Sequence, residues 1–363
     1  MKTLPIVDPS HADASARLDA ACRSVGFFAV PLAASCRQLR DEVISLAAEF
    51  FALPSSEKEL VSMARGGPAW RGWFPLGGEL TSGVPDRKEG YYFGEELPPD
   101  PRPMHGPNLW PQHPAGLRDA VTEWMTAMTD LGQQLLRSMA QGLGLPAEFF
   151  EHNLTAAPTP LFRIFRYPPH PAGDVATWGV GEHTDYGLLT LLATDGTPGL
   201  QVHSYGEWID APADPDLVIC NLGDMLDRLT GGRYRSNPHR VRNHAGGDRY
   251  SLPFFLDPGW NAVVEPLAID LGVQIGRRMT AGEPGIHTQT LYVVVHIGRE
   301  LRRRVLIARR TATALSGIAV HQLVDQGAPG EGILARQAEV ESRVQAEHAV
   351  GVIGIGIELP ARQ

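Results

Sequence analysis

His183-Thr184-Asp185, within the stretch GVGEHTDYGLLT, sets an imidazole and a carboxylate two residues apart beside a run of strand-forming residues. On a β-strand, residues i and i+2 point to the same side, so both groups can grip one ion. A second triplet of this kind, His11-Ala12-Asp13, stands near the start of the chain, so the triplet means little by itself. What separates the two is company. Downstream of Asp185 comes His239, in GRYRSNPHRVRN, and beyond it Arg249-Tyr250-Ser251, the one R-x-S of the chain. Two imidazoles and one carboxylate on one face of an octahedral Fe(II) leave three positions open. His239 must then come from another strand nearby in space. The open positions can take a 2-oxo acid through two atoms and O2 through one. Arg249 and Ser251 would hold the far carboxylate of that acid, because a guanidinium paired with a carboxylate fixes geometry as well as charge.

The chain that must position these residues has 363 of them, 43% hydrophobic and 20% charged, enough to bury a large core. Its net charge of −9 is spread without a basic stripe, which gives nucleic acid little to bind. No apolar run approaches the roughly 20 residues of a bilayer span, and MKTLPIVDPS lacks the apolar core of a signal peptide. The expectation is a cytoplasmic monomer with a small-molecule substrate and neither membrane nor nucleic acid as partner. Cys22, Cys36 and Cys220 have no metal spacing and read as ordinary thiols.

Residues 13–25 read as a helix, GFFAVPL as a strand, and 36–52 as a second helix that stops at the break in LPSSEK. Residues 64–114 are rich in Gly and Pro and read as long irregular structure, ordered because WRGWF and YYF need something to pack on. Over 115–143, Leu117, Val121, Trp124, Met128, Leu131, Leu135 and Met139 recur at steps of three and four, predicting one amphipathic helix. Short β runs follow, LFRIFRY, LLTLLAT, LQVHS, EWIDAP, LVICNLG, HRVRN and YSLPFFL, separated by turn residues. Many short strands without βαβ alternation predict a sandwich or barrel. Residues 269–363 differ: Tyr292 is their one aromatic residue and all their basic residues are Arg. Such a segment reads either as a divergent folded ending or as an out-of-frame translation of GC-rich coding DNA.

FRYPPHP, WGVGEHTDYGLLTLLATD, GLQV, GEWIDAP, NLGDMLDRLTGGRYRSNPHRV and RYSLPFF together resemble the isopenicillin N synthase-like branch of the iron(II)/2-oxoglutarate-dependent dioxygenases. The resemblance is strong over 155–260 and looser over 1–150, where GFFAV, FFALPSSEK and RGWF carry it. It implies a mainly β fold with flanking helices. A distorted double-stranded β-helix, the cupin-like jelly roll, would form the catalytic core over 151–268, behind a helical and irregular N-terminal region over 1–150 and ahead of an atypical tail over 269–363. It also implies that His183, Asp185 and His239 ligate Fe(II), that Arg249 and Ser251 bind the 2-oxoglutarate carboxylate, and that Tyr167 adds a hydroxyl donor. The implied activity is oxidation of a small organic substrate by O2, hydroxylation by default, with succinate and CO2 as coproducts. Two other readings stand beside it: a 2-oxoglutarate-independent oxidase of the isopenicillin N synthase type, and an inactive small-molecule or metal-binding protein left open by its tail. The chain departs from the family at Phe165, where plant members often place Asn, at Pro198-Gly199-Leu200, and after 268. Arg71, Lys88, Tyr91 and Tyr92 read equally as a substrate wall and as an ordered cover, and Asp224 as a turn or helix cap rather than a catalyst.

Overall fold

The structure is a computed structural model describing residues 3–171 and 177–267 and the backbone of three short strands beyond them. The chain divides into two units, Met1–Gly272 and Val273–Gln363. The helices of the first are α1 (Ala14–Ser24), α2 (Ala34–Phe51), α3 (Ser55–Lys58), α4 (Met63–Gly66), α5 (Leu117–Gly142), α6 (Phe149–Asn153) and α7 (Asp224–Leu229). Its strands are β1 (Phe27–Pro31), β2 (Gly72–Phe74), β3 (Leu80–Thr81), β4 (Val84–Pro85), β5 (Glu89–Gly94), β6 (Thr159–Tyr167) and β7 (Val180–His183). There follow β8 (Leu189–Thr194), β9 (Leu200–Ser204), β10 (Glu207–Asp210), β11 (Leu217–Leu222), β12 (His239–Val241) and β13 (Arg249–Asp257). In the second unit the described residues form the backbone of β14 (Thr288–Leu291), β15 (Leu306–Thr311) and β16 (Gln322–Leu323), which pair in that order. Apart from these strands, the two readings of 269–363 lie outside the described residues.

Seven strands pair in the order β1-β11-β8-β13-β6-β5-β2 and four in the order β10-β9-β12-β7, every pairing antiparallel. The architecture is the jelly roll with flanking helices. Strand alternation divides the larger sheet into two faces. On the outer face Phe28, Val218, Leu191, Phe254, Phe162 and Phe93 join one core with residues of α1, α2 and α5. That core takes the apolar stripe of α5, including Val121, Trp124, Met128, Leu135 and Met139. On the inner face Phe27, Ile219, Phe165, Tyr167 and Tyr92 meet Val180, Val202 and Val241 of the smaller sheet. Among the described residues no helix is long and apolar enough to cross a membrane.

The expectation of irregular structure throughout 64–114 needs correction, because β2 and β5 complete the larger sheet there. All six residues of β5, EGYYFG, are buried. Gly90 conceals the strand from its sequence pattern. A Cβ at this position would lie 2.6 Å from the Phe74 ring and 2.7 Å from Phe165, so close approach of the rings demands the residue that weakens strand propensity.

The turn joining β7 to β8 carries Asp185 and is moored to the start of α7. Backbone N–H groups of Gly223, Asp224 and Met225 donate to the carbonyls of Leu188 (3.1 Å), Asp185 (2.7 Å) and Tyr186 (3.0 Å), so the turn satisfies amides that the first turn of a helix leaves free. Asp224 serves as a helix-start residue, its carboxylate accepting from Thr184 Oγ1 at 3.3 Å. Gly223 makes this approach possible, since a Cβ on it would collide with the backbone of Gly187. Gly223→Ala should therefore displace the Asp185 turn and cost about 1–3 kcal/mol, the range for overpacking. Denaturant unfolding checks this, and a variant as stable as the parent would refute it.

Candidate active site

His183 ends β7 and His239 begins β12, and the antiparallel register sets the two directly opposite each other. Their ring centroids are 4.1 Å apart. Asp185, two residues past His183, brings Oδ1 to 3.9 Å from His183 Nε2 and 3.8 Å from His239 Nε2. Among the described residues this is the one group of His, Cys, Asp or Glu whose ligand atoms converge so, all within 4.8 Å of one another. The decoy His11 lies apart, 3.6 Å from the Asp8 carboxylate on the surface.

The orientation of each group leaves one free atom facing the others. His183 Nδ1 lies 2.8 Å from the Gly181 carbonyl, which requires the proton on Nδ1 and leaves Nε2 as the acceptor. The His239 ring rests edge-on against Phe27 at 5.4 Å. Asp185 Oδ2 accepts from Thr190 Oγ1 at 2.6 Å and Asn221 Nδ2 at 2.7 Å, while Oδ1 remains for the imidazoles. Burial disfavours the Asp185 charge, but His239, His183 and the two hydrogen bonds outweigh it and hold the carboxyl below its usual range. Burial, reinforced by His183, pushes His239 down to about 4, so its imidazole is neutral near pH 7. Two imidazoles and a carboxylate form a donor set suited to a divalent metal such as Fe(II), with one side open.

Arg249, Ser251 and Tyr167 gather at one end of the inner face. Arg249 pairs with Tyr167 across β13 and β6, and its guanidinium lies 5.0 Å from the Tyr167 ring centroid. Ser251 Oγ is 3.4 Å from Tyr167 Oη. All three are at most 2% exposed. Arg249 Nε donates to the Thr197 carbonyl at 3.1 Å, but its Nη1 is sealed from solvent with no partner. Burial lowers the Arg249 pKa and raises that of Tyr167. A buried guanidinium edge without an acceptor is costly and calls for an anion.

Among the loop residues, Lys88 is committed internally, with Nζ 2.6 Å from Asp86 and 3.0 Å from Glu79. Tyr92 donates its hydroxyl to Glu79. Tyr91 turns to the outer core and donates to the Leu109 carbonyl at 2.6 Å. Arg71 binds the Met104 carbonyl at 2.9 Å and lines a cavity with His105 and Trp260 that none of the triad shares. Phe165 packs edge-on against Tyr167 at 6.1 Å. Sequence reasoning missed Thr190 and Asn221, whose only signal is a lone polar residue in each of the runs LLTLLA and LVICNL.

Residues 158–258 match the model of the 2OG-Fe(II) oxygenase superfamily, and residues 3–113 match that of the non-haem dioxygenase in morphine synthesis N-terminal region. A probable iron/ascorbate oxidoreductase of Dictyostelium discoideum is 41% identical over 276 residues, 68% of this chain and 76% of that protein. Homoarginine-6-hydroxylase 2-ODD-C23.1 of Arabidopsis thaliana is 34% identical over 322 residues, 78% of this chain and 95% of that protein. Among solved structures, a full-length Neurospora crassa protein in complex with alpha-KG superposes with a TM-score of 0.66 at 26% identity, over 75% of this chain and 90% of that one.

The hydrogen bonds to Asp185 yield a prediction. Thr190→Val and Asn221→Ala remove no ligand atom, yet each should weaken divalent metal binding by about 10–100-fold, the usual effect of losing a partner that orients a ligand. Titration with Fe(II) or Mn(II) tests this, and unaltered affinity in both variants would exclude the role.

Proposed function

The chain belongs to the 2OG-Fe(II) oxygenase superfamily, and from that premise we propose that His183, Asp185 and His239 hold its iron while Arg249, Ser251 and Tyr167 hold the far carboxylate of 2-oxoglutarate. The protein is a non-haem dioxygenase that oxidises a small organic substrate with O2 and 2-oxoglutarate. Hydroxylation is the outcome assigned, in keeping with the hydroxylase activity named for the Arabidopsis relative. Bound iron supplies the site at which O2 is reduced while 2-oxoglutarate is converted to succinate and CO2.

The observation that carries the cosubstrate assignment is the sealed, unpartnered Nη1 of Arg249 beside the Ser251 and Tyr167 hydroxyls. A carboxylate entering there gains a charge-assisted hydrogen bond from a donor already desolvated, and two hydroxyls can complete its shell. The Thr197 carbonyl fixes Nε and so aims the guanidinium. Across the inner face, Thr190 and Asn221 occupy Oδ2 of Asp185, so Oδ1 would be the oxygen offered to iron, and the open side of the triad would be left for 2-oxoglutarate and O2.

Arg249→Lys keeps the charge but loses the planar fork. It should raise the 2-oxoglutarate concentration needed for half-maximal succinate formation by about 10–100-fold, equivalent to roughly 1.5–3 kcal/mol. O2-dependent succinate release measured against 2-oxoglutarate concentration tests this. Product formed without 2-oxoglutarate would overturn the assignment in favour of an oxidase in which Arg249 and Ser251 hold a substrate carboxylate.

A further inference from the structure

β6 sends a second cation to the inner face. Arg163 shares that face with Phe165 and Tyr167 by strand alternation, whereas Arg166 faces outward and is bound by Glu89 and Asp248, each at 2.6 Å. The Arg163 guanidinium lies 4.4 Å from the Tyr92 ring centroid and 4.6 Å from that of Phe255. Such contacts take up none of the N–H donors of the guanidinium in hydrogen bonds. Among the described residues no acceptor or carboxylate pairs with those donors. The side chain is half-buried, and its nitrogens are not among those sealed from solvent, unlike Nη1 of Arg249. The Arg163 edge therefore remains open to a ligand.

The register fixes where that ligand would lie. Phe255 stands opposite Thr190 across β13 and β8, and Thr190 is the residue that ties Asp185. Thr190 thus lies two strand spacings across and two residues along from Arg163, which separates Arg163 from the Asp185 clamp by about 12 Å. Tyr167, which marks the Arg249 site, is four residues further along β6, about 13 Å away. The two guanidinium groups cannot serve one small carboxylate.

We propose that Arg163 is the substrate anchor of this oxygenase, binding the carboxylate of a small organic acid whose body lies against Tyr92 and Phe255 and reaches toward the His183, Asp185 and His239 side of the inner face. The proposal rests on the reading of that triad as the iron site. Burial opposes the Arg163 charge, and Tyr92, Glu79, Asp185 and Asp257 outweigh it, so the guanidinium stays charged.

The test is binding of phenylacetate, hydrocinnamate and octanoate, each beside its uncharged primary amide. Ligand-observed NMR is run on the full-length protein without O2, with Fe(II) and saturating 2-oxoglutarate so that the Arg249 site is filled. At least one acid should bind about tenfold or more tighter than its amide, the range for a charged hydrogen bond, and Arg163→Gln should bring acid and amide level. Should Arg163→Gln not fold, Arg163→Lys carries the same test, because an ammonium keeps the charge without the fork and should reduce the preference severalfold. No acid preference in the parent, or the same preference in a folded variant, overturns the proposal. Failure of the iron reading registers separately, as absence of the visible absorbance that Fe(II) and 2-oxoglutarate give together, whatever the acid preference.

Discussion

Asp185 places an ionised carboxylate in the interior, and such a group persists only where hydrogen bonds or opposite charges replace the water it has lost. Here Thr190 and Asn221 hold one oxygen, and two imidazoles face the other. The clamp is itself a cross-strand pair, because Asn221 and Thr190 stand opposite each other on β11 and β8. Their register therefore determines the chemistry. A slip of one residue would bring Leu189 or Leu191, and Cys220 or Leu222, to the inner face, and Asp185 would meet hydrocarbon. The outer-face packing of those same four residues opposes such a slip.

Stability and chemistry are thus divided between the two faces of one sheet. The outer face is apolar and packed by α1, α2 and α5, with Trp124, Phe162 and Phe254 fully buried. Each such side chain contributes about 1.5–3 kcal/mol on leaving water. The inner face can then carry Arg249, Ser251, Tyr167, Arg163, Thr190 and Asn221, groups that would weaken an ordinary core. β2 and β5 extend that face, and they bring with them the buried ion cluster of Glu79, Asp86 and Lys88. This cluster absorbs Lys88 and Tyr92 into internal pairing, which leaves Arg163 as the cation beside them with no hydrogen bond or ion pair among the described residues.

What the sequence made legible followed from chemistry with a strict spacing. A triplet with period two and a distant histidine in a β context pointed to groups that do converge, and an R-x-S on a later strand to two residues that gather with Tyr167. The α5 stripe was legible for a similar reason, since a helix of that length repeats its signal many times. The losses have equally specific causes. β5 was hidden by Gly90, which is present because two rings occupy the space of its side chain. Thr190 and Asn221 were single polar residues in apolar runs, where periodicity does not show which face looks inward. Arg163 and Arg166, three apart on one strand, must point to opposite faces, but only the assembled sheet decides that Arg166 finds carboxylates and Arg163 finds aromatic rings.

Along the inner face the strand register runs from Arg249, through the row of Arg163, to the row of Thr190, which ties Asp185. Two anionic ligands, 2-oxoglutarate at the first cation and an organic acid at the second, would each be drawn to its own guanidinium and repelled by the ligand at the other. At a separation of about 13 Å and an effective dielectric constant of about 20, that repulsion is roughly 1.3 kcal/mol, close to a factor of ten in affinity. The Asp185 carboxylate opposes the binding of both anions as well. A dication held by the triad reverses the balance, because its charge exceeds that of the one carboxylate holding it and attracts both anions. On the proposed assignments, a dication at the triad would favour both acids binding together, so occupancy of the triad and recognition of the substrate would be electrostatically linked.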